Sequence, residues 1–241
     1  DAKPSQATNH LARLGARVHV GHDAGFVGDA DLLVVSAAVP LSNVEIVEAR
    51  RRQIPIVPRA DMLAELMRSR YGIAVAGAHG KTSTTAMIAL VLERAGLDPT
   101  AVIGGRLSAF GSSARLGKGR YMVAEADESD RTFLKLAPTL AVITNIDHEH
   151  LETFGSFEKM RHAFLDFANN VPSDGAVVVC ADDPYLRELL PQITRRVMTY
   201  GLETKNADLT AEEVQLEPFG VRCRVLPHPS RAGAEASTPL H

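Results

Sequence analysis

Residues 71–83 read Tyr-Gly-Ile-Ala-Val-Ala-Gly-Ala-His-Gly-Lys-Thr-Ser. A short apolar run leads into a glycine-rich turn, and Lys81 then opens a helix-forming stretch. A strand that feeds such a turn and a helix amino-terminus makes an anion cradle. Backbone N–H groups converge there, the helix dipole adds positive potential, and a lysine reaches the outer phosphates. On this reading Gly77, Ala78, His79, Gly80, Lys81, Thr82 and Ser83 are the candidate phosphate-binding residues. Thr82 carries the hydroxyl suited to Mg2+, and Gly80 lets the backbone come close to the anion. The loop is a shorter form of G-x-x-x-x-G-K-[ST]: the first position of that pattern falls on Val75. An ordinary junction with a surface lysine is the competing reading. Gly-Lys-Thr behind a strand argues against it.

Working outward, short apolar runs alternate with amphipathic stretches, which predicts an α/β fold with a mostly parallel sheet. Downstream of residue 70, strands are expected at 72–76, 121–126, 140–144, 176–180 and 196–200. Helices are expected at 81–95, stopped by Gly96, at 157–169 behind a capping Ser156, and at 184–190 behind Asp183. Val221, Cys223 and Val225 alternate with Arg222 and Arg224, a period-2 strand preceded by a turn at 218–220. Residues 228–241 are small and polar and predict a loose end. Upstream, a helix at 5–14 ends at Gly15, strands fall at 17–20, 32–36 and 54–57, and helices at 44–52 and 60–70. The domain boundary is expected near Arg70.

Ligands of such sheets gather at the carboxyl ends of the strands. Two of the predicted strands run into polar clusters there: Glu125-Ala126-Asp127-Glu128-Ser129-Asp130, and Asn145-Ile146-Asp147-His148-Glu149-His150. Mg2+ takes hard oxygen ligands and keeps several waters, so one acid of the first cluster together with Thr82 suffices to hold it. The bland alternative is a solvated acidic turn; an apolar strand beside a phosphate loop tips the reading toward a site. The His-x-His pair suits a second Mg2+ position or a phosphate contact better than zinc, which would need four ligands. Asp182-Asp183-Pro184 reads as a helix start.

Composition excludes several classes. The 241 residues are 45% hydrophobic and carry 26 basic against 29 acidic residues, a net charge of -3, so no cationic excess suggests nucleic acid or an anionic membrane. The longest apolar run, residues 86–92, is far short of the roughly 20 residues a membrane span needs. Two cysteines are too few for a disulfide framework. A soluble, cytoplasmic protein is expected.

Gly77-Ala78-His79-Gly80-Lys81-Thr82-Ser83-Thr84-Thr85, Glu125-Ala126-Asp127-Glu128-Ser129-Asp130 and Thr144-Asn145-Ile146-Asp147-His148-Glu149-His150, in this order and spacing, resemble the motifs of the Mur ligases. Ser36-Ala37-Ala38-Val39 and Ala181-Asp182-Asp183-Pro184 extend the resemblance over essentially the whole chain. It implies an incomplete Rossmann-like UDP-sugar domain over residues 1–70, followed by a P-loop central ATPase domain over 71–241, itself incomplete at its end. The family's glycine-rich opening, its later Asn-bearing motif and its third domain are not in this sequence, so a piece of a longer ligase is expected. The cofactors implied are ATP and Mg2+. The Glu128-Ser129-Asp130 ending favours the alanine-adding branch over the tripeptide-attaching one. That branch implies UDP-N-acetylmuramate and L-alanine as substrates, joined through an acyl phosphate in peptidoglycan precursor synthesis.

By the same resemblance Lys81, Glu125 and His150 are the catalytic residues. Thr82 and Glu125 hold the first Mg2+, His150 lies near the second, and Asn145 orders the site. Asp1 and Ser36 are candidates for the UDP-sugar. Two other readings stay open: a nucleotide-binding module without chemistry of its own, and another ATP-dependent amide ligase such as a folylpolyglutamate synthetase. The acidic motif argues against the latter. The sequence assigns no oligomeric state.

Overall fold

The computed structural model describes residues 3, 5–107, 112–218 and 220–228. It divides into two compact units between Leu66 and Met67. The first holds α1 (Gln6–Arg13), β1 (Leu33–Val35), α2 (Val44–Arg51), β2 (Ile56–Pro58) and most of α3 (Arg59–Arg68), the helix in which the division falls. Ser5 starts α1 through a reciprocal cap: its hydroxyl accepts the Thr8 N–H at 3.1 Å, and Thr8 Oγ1 accepts the Ser5 N–H at 2.7 Å. β1 and β2 pair in parallel, Leu33 opposite Ile56 and Val35 opposite Pro58. Ile46 and Ala49 bury the inner face of the intervening α2.

The strand expected at 17–20 does not form. Val18 and Val20 are exposed, and the run joins neither β1 nor β2, which make a sheet of two. An apolar run becomes a strand only where a neighbour takes up its backbone groups. His19 instead stacks its ring on Phe26 at 4.1 Å. Asp1 lies outside the described residues, and Ser36 follows β1, its hydroxyl accepting the Ala38 N–H.

The second unit contains β3 (Tyr71–Ala76), α4 (Lys81–Arg94), β4 (Thr100–Leu107), β5 (Ser112–Arg115), β6 (Tyr121–Glu125) and β7 (Leu140–Ile143). These are followed by α5 (Leu151–Phe154), α6 (Phe157–Asn169), β8 (Ala176–Cys180), α7 (Pro184–Leu189), β9 (Arg196–Gly201), β10 (Leu209–Glu217) and β11 (Gly220–Pro227). Among the described residues they form one nine-stranded sheet, ordered β11-β10-β9-β8-β7-β3-β6-β4-β5. Pairing is parallel from β10 to β4 and antiparallel at the two edges. The fold is α/β with a mostly parallel central sheet. β3 lies in the middle, flanked by β6 and β7. Ile73, Val75, Val123 and Val142 form a buried cluster on one face of these strands, against which Ile88 and Leu92 of α4 pack. Phe133, Phe164 and Phe167 form a second core, with ring centroids 5.3 Å apart from Phe133 to each of the other two.

Four elements were not expected from the sequence: β4, β5, α5 and β10. Gly104 and Gly105 interrupt the apolar pattern of β4. β10 is a polar, largely exposed ribbon, held to β11 through the pairs Arg224–Glu212 at 2.9 Å and Arg222–Glu217 at 3.3 Å. Pro218 lies in the turn between them, and Phe219 lies outside the described residues, as do 229–241. The two aspartates before Pro184 do different things. Asp183 caps α7, accepting the Leu186 N–H at 2.8 Å. Asp182 instead accepts the N–H groups of Leu202, Glu203 and Thr204 and pins the loop after β9.

Candidate phosphate-binding site

The ends of β3, β6 and β7 build the site together. Val75 pairs with Glu125, and Ala76 with Ile143, so the chain leaves all three strands at one level of the sheet. The turn from β3 to α4 is braced from β7. Thr144 donates its N–H to Ala76 O at 3.0 Å and its hydroxyl to His79 O at 2.7 Å. Asn145 takes the Ala78 N–H on its carbonyl at 3.2 Å and the His79 N–H on Oδ1 at 2.8 Å, and gives Nδ2 to His79 O at 3.0 Å. Gly77 is required at the closest approach: its φ is +134°, and a Cβ there would lie 2.0 Å from Thr144 Oγ1.

Gly80 begins α4 in the left-handed region, and no side chain caps this helix. Ser156 on α6 and Asp183 on α7 each cover a first-turn N–H; on α4 no side chain does so. Ser83 is exposed in the same first turn. His79 swings its ring toward the β7 loop, with Nε2 3.2 Å from Asp147 Oδ2 and 3.8 Å from Glu149 Oε1. Hydrogen bonds to Asp147, first from the His148 N–H and then from His79, hold its carboxyl below the usual range.

Lys81 carries the positive charge of the site. Its Nζ donates to Gly77 O at 2.7 Å, to Ala78 O at 3.2 Å and to Glu128 Oε1 at 2.8 Å. The lysine side chain is 14% exposed and that of Glu128 2%. Burial pushes the Glu128 carboxyl up, against the opposing pull of Lys81. Thr82 donates its hydroxyl to Glu125 Oε1 at 3.2 Å, and the other carboxylate oxygen accepts the Gly104 N–H at 2.7 Å. A Cβ on Gly104 would come within 2.6 Å of that carboxylate, so β4 presses its bare backbone against Glu125.

The acids of the 125–130 cluster therefore divide. Glu125 and Glu128 turn toward the phosphate loop. Asp127 and Asp130 accept the N–H groups of Ser129 and Thr132 and shape the turn. His150 opens α5 at a positive φ of 55°, its Nδ1 3.8 Å from Glu152 Oε1. The structure thus brings Gly77, Ala78, His79, Gly80, Lys81, Thr82, Glu125 and Asn145 together around one loop. Among the described residues, no three His, Cys, Asp or Glu side chains converge as a ready metal cage. A magnesium ion that keeps most of its waters needs no such cage, and the Thr82–Glu125 pair offers it hard oxygens beside the loop. Glu128, Thr144 and Gly104 were not among the site residues expected from the sequence. The Gly104-Gly105 doublet was a signal for a close backbone approach; the burial of Glu128 had none.

Residues 75–240 match the Mur ligase middle domain, and residues 1–71 match the domain described as Mur ligase family, catalytic domain. The UDP-N-acetylmuramate–L-alanine ligase of Anaeromyxobacter dehalogenans is 52% identical over 222 residues, 92% of this chain and 48% of that protein. The chain spans about half the length of the curated relatives it matches. The UDP-N-acetylmuramate-alanine ligase of Thermotoga maritima superposes with a TM-score of 0.78 at 30% identity, covering 94% of this chain and 51% of that one. The UDP-N-acetylmuramate:L-alanyl-gamma-D-glutamyl-meso-diaminopimelate ligase of Neisseria meningitides gives 0.79 at 28% identity, covering 94% and 75%. No helix among the described residues is long and apolar enough to cross a membrane. With both parts of the sequence matched, and the glycine-rich loop, acidic turn and histidine segment meeting at the ends of three central strands, this chain belongs to the Mur ligase family.

Proposed function

We propose that the chain is the nucleotide-binding part of an ATP-dependent ligase that joins L-alanine to UDP-N-acetylmuramate in peptidoglycan precursor synthesis. The observation that carries this reading is the uncapped start of α4, with Lys81 on one side of it and the Thr82–Glu125 pair on the other. The curated relatives named as UDP-N-acetylmuramate–L-alanine ligases, 50–52% identical over the matched residues, support the choice of substrates.

A carboxylate resists attack by an amine until one of its oxygens is made a leaving group. Phosphorylating it depends on positioning and on neutralising charge. In this chain the N–H groups at the start of α4 bind the phosphates, and Lys81 neutralises their outer oxygens. Asn145 and Thr144 keep the loop from spreading when the anion enters. Thr82 and Glu125 hold Mg2+, with His150 serving a second cation. Bound there, Mg2+ would supply positive charge that offsets the repulsion between nucleotide and acidic sugar. The domain division follows the same reading: residues 1–70 serve the UDP-sugar and 71–241 the nucleotide.

The test is ADP formation by the full-length protein with UDP-N-acetylmuramate and each of alanine, serine and glycine. Turnover that requires the UDP-sugar and is fastest with alanine supports the reading. Turnover with folate and glutamate instead, or none with any acceptor, overturns it. Glu125→Ala is expected to raise the Mg2+ concentration giving half-maximal activity about tenfold or more; an unchanged metal titration removes Glu125 from the site.

A further inference from the structure

We propose that Glu128 is a positioning residue that occupies the Lys81 ammonium in place of a phosphate and must release it before a nucleotide is gripped; this rests on the reading of the loop as a nucleotide site. An ammonium has three N–H donors. Lys81 spends one each on Gly77 O, Ala78 O and Glu128 Oε1. An incoming phosphate oxygen is therefore bound only by trading one of these away.

The two carbonyls belong to a loop fixed from the far side. Gly77 is wedged against Thr144, and Ala78 and His79 are tied to Asn145. The carboxylate is the partner that carries charge, and so the one that competes with a phosphate in kind. It is held rigidly as well. Its own carbonyl takes the Arg131 N–H at 3.0 Å, and the next residue, Ser129, takes the Thr153 hydroxyl at 2.7 Å.

The second oxygen of Glu128, Oε2, is buried with no hydrogen-bond partner among the described residues. A buried carboxylate in that condition depends on its one cation, so it draws the lysine back whenever the phosphate leaves. A nucleotide must then outbid a fixed negative charge, which weakens the resting affinity and speeds product departure. Glu128→Gln keeps the shape and removes the charge.

The experiment is a titration of Mg-ADP and Mg-ATP against the wild-type protein and its Glu128→Gln, Glu128→Ala, Lys81→Met and Lys81→Met/Glu128→Gln variants, with thermal melting to confirm that each is folded. Glu128→Gln is expected to tighten nucleotide binding about tenfold and to slow ADP release in proportion. Most of that gain should vanish in the Lys81→Met background. A residue that merely supports the turn would leave affinity unchanged or weaken it, and either result in folded Glu128→Gln or Glu128→Ala overturns the proposal. Nucleotide affinity unaffected by Lys81→Met overturns the phosphate-loop reading instead. Should both Glu128 variants fail to fold, a crystal of the wild-type protein with ADP decides. Lys81 Nζ beyond hydrogen-bonding distance of Glu128 supports the exchange; Nζ unmoved on Oε1 with nucleotide bound overturns it.

Discussion

Lys81→Ala is expected to lower kcat/KM for amide formation by at least about a thousandfold and to cost the folded state about 3–5 kcal/mol at neutral pH. The first effect follows from losing the cation that meets the outer phosphates. The second follows from Glu128, which would be left buried and charged without its cation. Burial raises the Glu128 carboxyl even with Lys81 beside it. A carboxyl so raised keeps its proton in the folded chain at pH values where the unfolded chain has released it. Stability is therefore lost as pH climbs from the ordinary glutamate value of 4.5 toward the folded one, and the full penalty stands above that. Urea unfolding should find Lys81→Ala close to wild type near pH 4.5 and far below it at pH 7.5. Adding Glu128→Gln should restore most of the stability and none of the activity. A double variant as unstable as Lys81→Ala would mean that the stranded carboxylate is not the cause.

Gly77→Ala attacks the same site through geometry alone. The substitution puts a Cβ 2.0 Å from Thr144 Oγ1 and 3.0 Å from the backbone N and O of Asn145, at a φ of +134° that L-residues rarely adopt. Overpacking and backbone strain together are expected to cost about 3 kcal/mol or more. The loop can relieve this only by moving off the end of β7, which carries the phosphate-binding N–H groups with it. A shift of about 1 Å is enough for roughly a hundredfold loss of turnover. Gly80→Ala makes the informative contrast, because a Cβ there meets nothing within 4 Å and only the positive φ opposes it. Its stability loss should be the smaller of the two. Equal melting temperatures for the two variants would contradict the close packing at Thr144.

What could be read from the sequence follows from where each segment is buried. β3, β6 and β7 lie in the middle of the sheet, and their apolar runs announce them. Residues 17–20 carry an equally plausible run, yet among the described residues no strand lies alongside to pair with it. β10 fails in the opposite way: Glu212, Glu213 and Gln215 are exposed, so its polar sequence hides a strand fixed by partners on either side. Ser156 and Asp183 were recognisable as helix starts because a cap acts within three residues of itself.

The site was legible to the same depth. Lys81 and Thr82 follow from a strand end and a glycine turn, and the choice of Glu125 among its neighbours follows from the family resemblance. The division of labour among four neighbouring acids does not, because it depends on which carboxylate the turn folds inward. Glu128 is as acidic in the sequence as Asp127 or Asp130. Only burial sets it apart. Likewise Gly104 reaches Glu125 from a strand two places along the chain, a contact the order of residues does not encode.

The most direct measurement is a crystal structure of the protein soaked with a non-hydrolysable ATP analogue and Mg2+. Phosphate density against the N–H groups at the start of α4, with Lys81 on the outer phosphates and a metal ion at Thr82 and Glu125, is the predicted result. Phosphates bound away from residues 77–83, or a fully occupied nucleotide that leaves Lys81 and Glu125 untouched, would contradict it.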